Sequence, residues 1–122
     1  MVKKISILGT DYKVRTKVPV SKDDELINRF GYCSVKGRRI VVADLNTIDG
    51  WKNESEDVKL RQERDTLRHE IIHAFLAESG LYGSSTNVEC WALNEEMVDW
   101  FALQLPKMIK VFRQLDCVGV NV

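Results

Sequence analysis

The chain has 122 residues, 44% hydrophobic and 30% charged, and its 18 Lys+Arg balance 18 Asp+Glu to leave no net charge. That usage is ordinary for a globular protein, and the length suits one domain, residues 1–122, with a core of its own. With the charges evenly balanced, nothing suggests an electrostatic nucleic-acid footprint.

Three cysteines, Cys33, Cys90 and Cys117, form neither a C-x-x-C pair nor a regular framework. No run approaches the roughly 18 apolar residues of a membrane span, and residues 1–10 contain no secretory apolar segment. A cytoplasmic, reducing setting away from membranes is therefore expected.

Residues 4–8 are a short β-branched run, Gly9-Thr10-Asp11 is turn-like, and 12–18 alternate with period two before Pro19. This predicts a hairpin with one wet face. Ser21 then offers a helix N-cap, with Asp24 and Glu25 in the first turn and a stop at Gly31. Residues 32–35 and 38–43, joined through Lys36-Gly37, predict a second hairpin whose glycine tolerates positive φ. Residues 45–53 lack periodicity and form a loop that Trp51 packs down.

From about 54 to 79 there is no Gly or Pro, helix formers dominate, and Gly80 stands where a C′ glycine belongs. The first half, 54–64, is polar and expected to be solvated. Leu67, Ile71, Ile72, Ala74, Phe75 and Leu76 mark where the helix enters the core. Residues 81–87 read as a loop. A second helix is expected over 88–105, stopped by Pro106, which also opens a final amphipathic segment.

The first long helix carries His69-Glu70-x-x-His73, which uses both histidines of the chain. Residues four apart stack on one helical face, so both imidazoles can hold one ion, and Glu70 is offset toward a water beside it. Such spacing points to a zinc site with a general base. A zinc that keeps one position open needs a third protein ligand. On the second predicted helix, Val88, Trp91, Ala92, Glu95, Val98, Ala102 and Leu105 form the inward face, and Glu95 is the one acid in it. Glu96 points nearer the rim. Asp99, one turn beyond Glu95, is placed to accept a hydrogen bond from the free N–H of a ligating histidine.

His69-Glu70-x-x-His73 followed by a helical Glu95 resembles the gluzincin-type zinc metallopeptidases. Asn94-Glu95-x-x-x-Asp99 is similar to the N-E-x-x-x-D signature of thermolysin-like members. Residues 95–102 also resemble the E-x-x-A-N-x-F-A stretch of the small phage and prophage peptidases of the ImmA/IrrE type, with Val98 for Ala and Asp99 for Asn. The resemblance spans roughly residues 38–105 and looks like a minimal zincin: an α+β fold with a small, mostly antiparallel sheet packed on the H-E-x-x-H helix and a glutamate helix.

It implies zinc on His69, His73 and Glu95, with Glu70 as general base in peptide-bond hydrolysis. The implied substrate is a peptide or protein segment added to a sheet edge, for which 38–43 is the expected strand. Larger gluzincins add a Tyr or His donor to the oxyanion. With no spare histidine, Tyr82 is the candidate. The alternative is a non-catalytic metal-binding or protein-interaction module of phage origin, its metal closed by a fourth protein ligand, Cys90 or Glu96.

Overall fold

The computed structural model describes residues 2–84 and 86–119. Its fold is α+β: a four-stranded mixed sheet with helices packed mainly on one face. Strands β1 (Val2–Ile7) and β2 (Thr10–Val18) pair antiparallel, as do β3 (Gly31–Ser34) and β4 (Arg39–Ala43). Both expected hairpins are present. The first turn is tighter than expected, because Leu8 and Gly9 both take positive φ and bring Ile7 opposite Thr10. Such a two-residue turn matches the twist of its strands, so Thr10 and Asp11 belong to β2. In the second turn the positive φ falls on Arg38 and not on Gly37. Gly37 serves as space: a Cβ there would meet the Arg39 guanidinium and lie 2.9 Å from the Ser34 hydroxyl.

The two hairpins join by a parallel pairing of β2 with β4, giving the order β1-β2-β4-β3. Strand β4 is therefore internal, and the expectation that 38–43 forms the edge is corrected: β3 is the edge on that side. The physical sign is in the strand itself. Ile40, Val41, Val42 and Ala43 are all at most 2% exposed, and a strand buried on both faces reads as an unbroken apolar run.

One face of the sheet supplies Ile7, Tyr12, Val14 and Ile40 to a core with Ala74, flanked by Leu67 and Ile71. The other face packs Tyr32, Val41 and Ala43 against Leu26, Val20 and Ile48. The segment that covers this second face was expected as a helix from Ser21. It forms two single 3-10 turns, Val20–Lys22 and Asp24–Leu26. Asp23 separates them with extended backbone, accepts the Glu25 N–H, and takes the Tyr32 hydroxyl at 2.6 Å. A short acid used twice in this way competes with helix continuation.

Helix α1 (Glu56–Glu78) starts at Ser55, whose hydroxyl accepts the Val58 N–H, and ends before Gly80 at φ 99°. Its first half is not uniformly solvated: Lys59 is 5% exposed, bonded to Asn46 and Glu56. Trp51 packs edge-on against Phe30, fastening the preceding loop. A Cβ on Gly31 would lie 2.8 Å from the Thr66 methyl and 2.7 Å from the Val41 carbonyl, so glycine lets α1 approach the edge strand β3 closely.

After a short helix α2 (Leu81–Ser84), the chain forms a 3-10 turn at Trp91–Leu93, and α3 begins only at Glu95, running to Gln114. The expected helix over 88–105 is thus displaced at both ends. At its start, Asn94 caps through its side-chain oxygen, which accepts the Met97 N–H at 2.8 Å, and Val88 and Trp91 are exposed instead of inward. At its end, α3 passes through Pro106. Val98 and Ala102 are fully buried, as the inward face requires. No helix among the described residues is long and apolar enough to cross a membrane.

Candidate metal centre

Helices α1 and α3 lie so that Glu95 is level with His73, Asp99 with His69 and Ala102 with Arg68. The histidine Nε2 atoms are 3.2 Å apart. The Glu95 carboxylate spans them, Oε1 at 2.8 Å from His73 Nε2 and Oε2 at 3.1 Å from His69 Nε2. The other ring nitrogens are engaged from behind: His69 Nδ1 is 2.7 Å from Asp99 Oδ1 and His73 Nδ1 is 3.1 Å from the Ala92 carbonyl. Both acceptors call for an N–H at Nδ1, and that tautomer turns both Nε2 lone pairs inward, as in metal-ligating histidines.

Two facing lone pairs and a carboxylate repel one another unless a proton or a cation lies between them. Three ligands at about 2.1 Å in tetrahedral geometry stand about 3.4 Å apart, close to the separations here. The His69-Glu70-His73 group can hold a metal ion, and the Glu95 oxygens face the same point.

Glu70 is 8% exposed, with Oε2 4.0 Å from His69 Nε2. Burial pushes its carboxyl up to about 7, against the pull of His69, with the Glu95 charge raising it further. Burial is the leading cause because water no longer supports the charged form. The group is thus balanced between holding and releasing a proton near neutrality.

These side chains open into a cavity of about 840 Å³. One wall is α1, with Gln62, Asp65 and Thr66 beside the histidines. The opposite wall is β3 with its flanks, Arg29 to Lys36, and Tyr82, Leu93, Glu95 and Asp99 close it. Tyr82 is brought to the cavity wall, half exposed. Glu96 and Cys90, the alternative ligands, do not line it. The Cys90 sulfur lies toward Thr86 and Asn87, 3.9 Å from each side-chain oxygen.

Sequence reasoning missed three contributors. The Ala92 carbonyl is a backbone atom in an irregular turn, with no signal in side-chain pattern. Arg29 and β3 reach the cavity through the strand order, which is a non-local property. No protein-family model, curated protein or solved structure matches this chain.

Proposed function

We propose that this chain is a zinc-dependent peptidase of the gluzincin type that hydrolyses peptide bonds in a protein or peptide substrate. The observation that carries the reading is the Glu95 carboxylate bridging both Nε2 atoms, with the buried Glu70 beside them. Two imidazole nitrogens and one carboxylate are a donor set suited to zinc, and one that leaves a position open. When bound there, zinc supplies Lewis acidity, polarising a carbonyl and acidifying water.

The chain's own residues do the rest. Glu70 accepts a proton from the attacking water and returns it to the departing amine, a task that its buried position 4.0 Å from His69 Nε2 suits. Asp99 orients His69, and the Ala92 carbonyl orients His73. Tyr82 offers a phenolic O–H from the cavity wall to the developing oxyanion. The edge strand β3 presents backbone groups for an extended substrate, and Gly31 keeps that strand tight against α1. The three free cysteines fit a reducing cytosol.

The test pairs elemental analysis of protein purified without added metal with hydrolysis of unfolded proteins and peptide libraries. The expected result is one zinc per chain in wild type and in Glu70→Gln, with hydrolysis in wild type only. One zinc per chain without hydrolysis in wild type over the whole panel would favour the non-catalytic metal module.

A further inference from the structure

The cavity contains four acids, and each faces a cation or an imidazole. Asp65 meets Arg68 at 3.5 Å, Glu95 meets both histidines, Asp99 meets His69, and Glu70 stands 4.0 Å from His69. Two cations line the same space, Arg29 and Lys36, at opposite ends of the edge strand. Both are exposed. Neither side chain makes a hydrogen bond or ion pair among the described residues.

The two are not equivalent. Lys36 sits in the turn between β3 and β4. Arg29 is held by backbone on both sides: its own N–H donates to the Leu26 carbonyl, Asn28 before it is left-handed at φ 60°, and the Phe30 carbonyl after it accepts the Ala43 N–H at 2.8 Å. A guanidinium is a planar fork that matches a carboxylate with two parallel bonds, which an ammonium cannot do. Arg29 is thus an exposed guanidinium on an anchored stretch of backbone, two residues before β3 begins, where a ligand extended along that strand has one of its ends.

We propose that Arg29 is a specificity-determining residue that binds a carboxylate of the substrate, either the free C-terminus of a peptide or an acidic side chain. This rests on the peptidase reading for the nature of the ligand, and it is tested by binding as well as by turnover.

Fluorescein-labelled peptides are prepared in matched sets: free C-terminal acid against carboxamide, and an internal Glu against Gln at each position of the amide form. Anisotropy is measured with zinc-loaded Glu70→Gln protein, and hydrolysis with wild type. The expected preference for the acid member of one set is on the order of tenfold or more, the range of a charge-assisted bidentate contact. Which set shows it distinguishes terminus from side chain. Arg29→Gln abolishes the preference and leaves the neutral peptide and the zinc content unchanged, while Arg29→Lys retains part of it. A preference that survives Arg29→Gln, or none in either set, overturns the proposal. Carboxylate preference in binding without hydrolysis by wild type would uphold Arg29 and remove the peptidase reading. Hydrolysis without the preference would do the reverse.

Discussion

Arg68 donates through Nε to the carbonyl oxygen of Ala102 at 2.7 Å, and Ala102 stands four residues before Pro106. In a regular helix that carbonyl would accept the N–H of residue 106, which proline lacks. Arg68 supplies the missing donor from the neighbouring helix, beside His69. We expect Arg68→Ala to destabilise the protein by about 1–3 kcal/mol, the range for a lost charged hydrogen bond that leaves an acceptor unpaired. Pro106→Ala restores a backbone donor, so Arg68→Ala should cost less in that background. Urea unfolding of the four proteins measures the coupling, and strictly additive effects would refute the link.

Asp99 accepts from His69 but does not face the point between the Nε2 atoms. Removing such an oriented acceptor weakens metal binding without abolishing it, by about 10–100-fold. Asp99→Ala is expected to fall in that range by competition with a chelating dye. Glu95→Ala should lose stoichiometric binding, and Glu96→Ala should match wild type.

Glu70 makes the metal-free protein sensitive to pH in a defined direction. Its carboxyl rises from 4.5 to about 7 on folding, mainly through burial, so between those values the folded chain holds more protons than the unfolded one. The stability it contributes is therefore full below about 4.5 and lost as pH rises through 7. Over that window the loss is on the order of 3 kcal/mol. Chelator-treated Glu70→Gln should lack this component, and unfolding midpoints of wild type and variant at pH 5 and pH 8 would reveal equal slopes if the assignment were wrong.

The three thiols should separate by reactivity. Burial pushes Cys33 up to about 12, with Glu70 and Glu78 adding to it, which leaves about one thiolate in ten thousand at pH 8. Cys90 is shifted down by hydrogen bonds from the Thr86 and Asn87 backbone, and Cys117 is exposed. A disulfide reagent at pH 8 should titrate two thiols in the native protein, Cys90 among them, and the third only after denaturation. Three fast thiols in the native state would contradict the partly buried setting of Cys33.

The residues of the candidate metal centre were legible because their order is local. His69, Glu70 and His73 share one turn, and the i, i+3, i+4 spacing of Glu95, Val98 and Ala102 survives although α3 begins seven positions later than expected, at Glu95 in place of Val88. The other wall was not legible. Whether β3 or β4 lies outside depends on the parallel pairing of Val14 with Ile40, whose one local mark is the unbroken apolar run of residues 40–43. Pro106 shows a local rule overridden by a distant partner, since nothing near it announces Arg68. Asp23 shows the opposite case, a short polar side chain whose two hydrogen bonds keep Leu26 on a 3-10 turn where periodicity suggested a helix.

That parallel pairing also sets an order of assembly. Each hairpin joins neighbours in sequence and can close within microseconds, whereas the seam joins Lys13 to Arg39, 39 − 13 = 26 positions apart. Closing that longer loop costs entropy before its contacts form. Weakening the seam at Val14 or Ile40, both in the core beneath α1, is therefore expected to slow folding. Strand β1 pairs only with β2 and is exposed along Val2, Lys3 and Lys4, with Ile7 alone fully in that core. Weakening β1 would chiefly hasten unfolding, while β4 would still dock on α1 at its native rate.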